Sequence, residues 1–337
     1  MERRSETTET TGSIGALAWA AMEISVSDGA VVAFHDHGGD SSSLPVILLH
    51  GLTQQQHYWN PVLERLRNVR VITVDQRGHG AASGPHTTPN SDFGMDRLAD
   101  DVVAVMDACN VAQAIVVGHS WGASVALRTS TRHPDRVRSA VLIDGGIFGP
   151  RHLVGMAGSA NDVREALRPP PLGMLEPTLW QAIEQGDLSP YWDSSIRDAL
   201  APTFRTDDAG RIWTKLGMER HMAVLDGLFA YDPDVDIADP RCPIWVVVCE
   251  ERSSADEQAV DERARPESPE AGADGEIRMS SAWAQAREDA IARLGPAFFL
   301  QRWYGALHDV PLQWPALVAG LIETVVERTS DPKQEVR

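Results

Sequence analysis

Hydrophobic and polar positions change period several times along this chain, and the changes mark out its elements. From Ile24 onward, short apolar runs alternate with segments whose apolar residues recur at helical spacing. Residues 24–26 and 31–35 predict a leading hairpin turned by Ser27-Asp28-Gly29. The run at 46–49 is wholly apolar and stops at His50-Gly51, as a strand buried on both faces does. A short helix is predicted over 61–66 and another buried strand over 69–74. Across 92–109, Leu98, Val102, Val103, Val105 and Met106 take helical spacing behind a Ser/Asp cap. A strand over 114–117, a helix over 120–132 and a strand over 141–143 come next. This alternation predicts an α/β fold, a mostly parallel sheet with helices on both faces.

The rhythm breaks after Gly146. Residues 147–240 hold no convincing buried strand, only helix-like pieces, three consecutive prolines at 169–171 and scattered aromatics. They predict a helical cap over the sheet edge. Trp180, Tyr191, Trp192, Phe204, Trp213, Phe229 and Tyr231 are expected to form its core, with some of them facing a pocket. The sheet resumes at 244–249. Residues 250–278 are acidic and poor in large apolar side chains, which predicts a mobile insertion. A helix over 281–294, a strand over 298–303 and a closing helix over 312–326 complete the pattern. The core is thus expected at 22–146 and 241–328, behind a disordered tail at 1–21.

Composition narrows the function classes. A chain of 337 residues with 43% hydrophobic residues suits one large domain carrying an insertion. A formal net charge of −18 argues against nucleic acid as a partner and against docking on an anionic membrane. No apolar stretch approaches the roughly 20 residues of a spanning helix. The three cysteines, Cys109, Cys242 and Cys249, show no motif spacing and read as reduced thiols. The apolar run at 14–22 is short for an export signal and sits behind acidic, Thr-rich residues, so a cytoplasmic protein is expected.

The candidate chemistry centres on Gly118-His119-Ser120-Trp121-Gly122, a G-x-S-x-G pattern between a predicted strand and a predicted helix. A nucleophile in that turn is thrust above the sheet, near the positive end of the next helix. Acyl transfer also needs donors for the developing oxyanion. The backbone N–H of Trp121 and that of Leu52, on the loop after the strand ending at His50-Gly51, are the candidates. His50 itself reads as a loop-organising residue. Among eleven histidines, only His308 comes after the last strand and before the last helix, the position expected of the general base. The orienting acid has two candidate places. Asp144 comes directly after the strand over 141–143, which should lie beside the nucleophile strand, and a rigid strand end orients a base well. Glu250 and Glu251 come after the next strand, in a stretch reading Cys249-Glu250-Glu251-Arg252. We favour Asp144, with Glu250 or Glu251 as the alternative. His35 and His37 share a strand face without a further ligand nearby, and no metal or cofactor motif occurs.

These stretches, with His50-Gly51-Leu52-Thr53, Trp59, Asp75-Gln76-Arg77-Gly78-His79-Gly80 and His308-Asp309-Val310-Pro311-Leu312, resemble the α/β-hydrolase superfamily over roughly residues 22–328. Within it, the chain is similar to serine-nucleophile, esterase- or lipase-like members of a bacterial group sharing Leu-Ile-Asp-Gly-Gly and His-Asp-Val-Pro-Leu. The resemblance implies an eight-stranded sheet with its second strand antiparallel, and a helical lid. It also allows the acid to come after the sixth strand, as in some haloalkane dehalogenases, which supports Asp144. Asp75–Gly78 and Gly118–Gly122 also resemble proline iminopeptidases. Those carry His-Gly-Gly-Pro-Gly at the oxyanion loop, whereas this chain reads His50-Gly51-Leu52-Thr53-Gln54. Ser120 speaks against epoxide hydrolases and dehalogenases, whose covalent intermediate requires an Asp.

The expected activity is hydrolysis of a carboxylic ester, lactone or thioester of a moderately sized apolar substrate, without cofactor. Activity should rise with pH through the titration of His308, level off near neutrality and ignore chelators. The alternatives are iminopeptidase-like amide cleavage, hydrolysis of a C–C bond, or a scaffold used for binding or a non-hydrolytic rearrangement.

Overall fold

The computed structural model describes residues 21–40, 42–170, 172–250 and 273–330. The expected tail at 1–21 and insertion at 250–278 fall mostly outside these described residues. Ten strands occur among them: β1 Met22–Ser25, β2 Val31–Asp36, β3 Val46–Leu49, β4 Val71–Asp75, β5 Ala114–His119, β6 Val137–Ile143, β7 Phe204–Thr206, β8 Ile212–Thr214, β9 Ile244–Glu250 and β10 Phe298–Tyr304. Eight of them form one sheet in the order β1-β2-β4-β3-β5-β6-β9-β10. Only β2 runs against the rest, pairing antiparallel with both β1 and β4, while the other neighbours are parallel.

Side chains alternate between the two faces of a strand, so a wholly apolar run must be covered on both sides. In β3, Ile47 and Leu49 join one buried cluster, whereas Val46 and Leu48 join the other. The first cluster takes Leu98, Val102 and Met106 of α2 (Met95–Ala108) and Ala123 and Leu127 of α3 (Trp121–Arg132). The second takes Val62 of α1 (Asn60–Leu63) and residues from the closing helices. Each such aliphatic side chain contributes on the order of 1.5–3 kcal/mol when buried. The sheet edge holding the C-terminal ends of β3, β5, β6 and β9 is thereby fixed.

Several boundaries differ from the sequence expectation for identifiable reasons. Helix α2 starts at Met95 rather than at 92, because the Asp92 carboxylate accepts the Gly94 N–H (2.8 Å) in a turn before it. The closing helix is split into α10 (Val310–Gln313) and α11 (Pro315–Ser330). Pro315 pushes Trp314 out of helical geometry, to φ −129° and ψ 59°. The helix expected over 281–294 begins earlier: α9 spans Ala273–Ala292 and takes up the end of the predicted insertion. Glu250, placed in that insertion from sequence, is the last residue of β9.

Between β6 and β9 lie α4 (Ala160–Ala166), α5 (Glu176–Glu184), α6 (Ser194–Leu200), α7 (Met218–Ala230) and α8 (Pro233–Ala238). The same segment carries the β7–β8 hairpin, which the sequence pattern does not predict. Its strands are three residues each, too short to show an alternating pattern. Helix α9 packs onto this segment through Leu153, Val163, Ala282 and Ala286, and Phe148 meets Trp283 edge to face at 5.0 Å. No helix among the described residues is long and apolar enough to cross a membrane.

Candidate active site

Ser120 sits between β5 and α3 with φ 53° and ψ −120°, a conformation that costs on the order of 1–3 kcal/mol and needs support from its surroundings. Support comes from the Ser120 N–H, which donates to Ile143 O (2.9 Å), and from Ser120 O, which accepts the Ala123 N–H (3.0 Å). The flanking glycines are required by close approach. A Cβ on Gly118 would lie 2.0 Å from Gly122 O, and one on Gly122 would lie 2.5 Å from Leu49 O. Gly145 is equally constrained, since a Cβ there would lie 2.4 Å from Ser120 O. Gly145→Ala should therefore displace the serine and lower kcat/KM by at least about 100-fold. Steady-state assays beside a thermal melt will show whether activity falls more than stability.

Strands β5 and β6 are neighbours in register, with His119 opposite Ile143, so Ser120 and Asp144 emerge side by side. Asp144 is held from three directions. Its N–H donates to Val247 O (2.9 Å), its Oδ1 accepts the Cys249 N–H (2.9 Å), and its Oδ2 accepts from His308 Nδ1 (2.7 Å). An ionised carboxylate only accepts, so Nδ1 carries the ring proton and Nε2 is left as an acceptor. Ser120 Oγ lies 3.0 Å from that Nε2, in position to donate its hydroxyl proton. The structure thus brings Ser120, His308 and Asp144 into one hydrogen-bonded chain. It does not bring in Glu250, whose carboxylate pairs with Arg302. Glu251 lies outside the described residues.

His308 is half exposed, and the loop that carries it is anchored from behind. Gln313 Oε1 accepts the Leu307 N–H (2.7 Å), and Gln313 Nε2 donates to Gly305 O (2.9 Å). Asp309 Oδ1 accepts from Tyr58 Oη (2.9 Å) and from Gln54 Nε2 (2.8 Å). His119 Nε2 donates to His308 O (2.8 Å), and its ring stacks on Tyr58 at 5.2 Å. The sequence gives no sign of Tyr58, Gln54 and Asp309 as supports. Their contacts span about 250 residues, which no local pattern reports.

The Trp121 N–H is the first amide of α3 and has no carbonyl one turn back to bind. No acceptor among the described residues takes the Leu52 N–H. The loop at Leu52 is fixed by His79 Nε2, which donates to Leu52 O (2.6 Å), and by His50. His50 Nδ1 donates to Gly51 O (2.8 Å), and its Nε2 accepts the Gln76 N–H (3.1 Å).

Ser120, Asp144, His308, Leu52 and Trp121 all line one cavity of about 630 Å³. Its aromatic walls are Trp121, Phe148 and Trp283. None of the seven aromatics expected in the cap lines it, which corrects the expectation that some would face the pocket. Trp180 instead packs edge to face on Phe204 at 5.8 Å, and Trp213 Nε1 donates to Asp207 (3.0 Å). Ser280, Trp283, Ala284 and Arg287 reach the cavity from α9. Their spacing of i, i+3, i+4 and i+7 is a helical stripe, the signal that could have found them. Away from the cavity, His152, Asp232 and Asp234 bring possible ligand atoms within 4.8 Å of one another. Arg151 pairs with Asp232 (2.9 Å) and Arg293 with Asp234 (2.9 Å).

Burial depresses the imidazoles around the site. His119 and His221 are both pushed down to about 4, chiefly by desolvation, with the His308 charge adding to the effect on His119 and His79 on His221. The unfolded chain therefore takes up these protons first as pH falls. The stability tied to each neutral ring is complete above the ordinary value of about 6.5 and is lost progressively toward about 4. His221→Gln should make the loss of stability between pH 7 and 5 smaller by up to about 2 kcal/mol, read from urea midpoints at the two pH values.

The chain has the α/β-hydrolase fold: a model of the alpha/beta hydrolase fold matches residues 45–210, and the eight-stranded sheet is that fold. Epoxide hydrolase B of Mycobacterium tuberculosis is 36% identical over 129 residues, which cover 38% of this chain and 35% of that protein. The 2-(acetamidomethylene)succinate hydrolase of Mesorhizobium japonicum is 36% identical over 107 residues, 31% of this chain and 37% of that one. These matches thus span little more than a third of the relatives' lengths. A crystal structure of E-2-(acetamidomethylene)succinate hydrolase superposes with a TM-score of 0.60 over 91% of this chain and 100% of that chain, at 21% identity.

Proposed function

We propose that the protein is a serine hydrolase that cleaves a carboxylic ester, lactone or thioester through an acyl-enzyme on Ser120. One observation carries this reading: the continuous chain from Ser120 Oγ through His308 to Asp144, with links of 3.0 and 2.7 Å. Ser120 Oγ attacks the acyl carbon while His308 Nε2 takes its proton. The carbonyl oxygen becomes an oxyanion held by the Leu52 and Trp121 N–H groups. His308 passes the proton to the leaving oxygen or sulfur as that bond breaks. Water, deprotonated by the same imidazole, then attacks the acyl-enzyme, and the acid product leaves with Ser120 restored. Asp144 keeps the proton on Nδ1 and stabilises the imidazolium. The cavity, walled by Trp121, Phe148, Trp283, Leu225 and Leu228, suits a moderately sized substrate with an apolar body.

The likeness to an epoxide hydrolase sits over this reading without displacing it. Opening an epoxide through a covalent ester requires a carboxylate nucleophile, and this chain has a hydroxyl at that position. A phosphonylating serine probe tests the proposal. Wild type should be labelled on Ser120, and Ser120→Ala should not be labelled. An unlabelled wild type at high probe concentration would rule out an activated serine.

A further inference from the structure

The wall of the cavity contains one feature that an apolar acyl group does not need. Among its described lining residues, Arg287 is the only lysine or arginine. Its side chain is 26% exposed. Nη1 donates to Cys249 O (3.2 Å), and the Cys249 N–H donates to Asp144 Oδ1 (2.9 Å). A single residue of β9 therefore separates the guanidinium from the carboxylate that orients His308. The arginine is fixed at the edge of the reacting centre.

Among the described residues, most of its donors lack a hydrogen-bond acceptor. Of five N–H groups, a single one, on Nη1, makes a hydrogen bond to an acceptor among the described residues. Nε is buried without a hydrogen-bond partner there. Nε is ion-paired with Glu288 Oε1 at 3.5 Å, outside the geometry of a hydrogen bond. The Glu288 carboxylate is engaged by Arg302, at 2.9 and 2.7 Å. Leaving guanidinium donors unmet in a partly dry wall costs free energy, and a planar oxyanion satisfies two of them at once. His221, the other basic group on the wall apart from His308, is held neutral by burial at physiological pH.

We propose that Arg287 binds a carboxylate carried by the substrate, so that the protein acts on acyl compounds bearing a second, unreacted carboxylate. This rests on the acyl-transfer reading of Ser120 and names the substrate class for that site. The apolar walls then hold the chain between the two carboxyl carbons. The surface as a whole repels anions, with a net charge of −18, so any preference for them must arise locally.

The test compares p-nitrophenyl half-esters of succinic, glutaric and adipic acids with their neutral counterparts of equal chain length. Wild type should favour at least one half-ester by about 10- to 100-fold in kcat/KM, the range of a charge-assisted contact. Arg287→Gln should cost the favoured half-ester about 10- to 100-fold more in kcat/KM than its neutral counterpart, and Arg287→Lys should restore part of that difference. Equal losses on both series would mean that Arg287 only braces Cys249 and Asp144, and would overturn the proposal. So would a wild-type preference for neutral esters throughout.

A second measurement needs no variant. Dicarboxylates of graded length should slow labelling of wild-type Ser120 by the phosphonylating probe, with matched monocarboxylates far weaker. Labelling that responds equally to both refutes the carboxylate site but leaves the serine hydrolase intact. Absence of labelling removes the hydrolase reading itself.

Discussion

Asp144→Asn is expected to slow acylation by about 10⁴-fold, the loss seen when the orienting acid of such a triad becomes an amide. The cause is tautomeric. Asp144 Oδ2 accepts from His308 Nδ1 at 2.7 Å, and an amide presenting NH₂ there would favour the proton on Nε2. Nε2 would then have no lone pair for the Ser120 hydroxyl. The fold should survive, because Asn retains an oxygen for the Cys249 N–H and tolerates the positive φ of 47° at this position. Glu250→Gln should stay within about threefold of wild type, since that carboxylate pairs with Arg302 rather than with His308. Single-turnover kinetics on an activated ester distinguish the two variants. The reverse ranking would move the acid from the end of β6 to the end of β9.

Ser120→Ala should be more damaging still, lowering kcat by about 10⁶-fold as expected for loss of a triad nucleophile. KM should change little, because the cavity walls and the Leu52 and Trp121 amides remain. Stability should change little. Removing Oγ deletes one hydrogen bond at the cavity wall, to His308 Nε2, and the strained φ of 53° stays in place because Gly118, Gly122 and Gly145 fix it rather than the hydroxyl. Steady-state kinetics and a denaturant melt on the same preparation measure both effects.

Much of the sheet was legible because its strands are buried on both faces and their apolar runs end at turns with clear chemistry. The run at 46–49 coincides with β3, and the stop at His50-Gly51 marks where the Leu52 loop begins. Ser120 and His308 stood out by their place in the order of elements. Asp144 was readable by a topological argument, that consecutive parallel strands are neighbours, and β5 and β6 pair in register. The cavity walls were not legible in the same way. Which side of a helix faces a pocket depends on how helices pack on one another. The seven aromatics expected to fill the cap at 147–240 stay out of the cavity, which takes Phe148 alone of that segment's Phe, Tyr and Trp residues, while α9, coming after the sheet had resumed, supplies Trp283 and Arg287. The supports of His308 were hidden for a related reason, as Tyr58 and Gln54 meet Asp309 only after the chain has closed its sheet.

The proposed acyl-enzyme is the most direct object of measurement. Wild type mixed with a p-nitrophenyl ester, quenched with acid during turnover and weighed intact, should show a population heavier by the acyl group. Peptide mapping should place that mass on Ser120, and deacylation should empty it once substrate is exhausted. Undiminished turnover in Ser120→Ala, with no acyl mass on wild-type Ser120 at any quench time, would be incompatible with a serine acyl-enzyme mechanism.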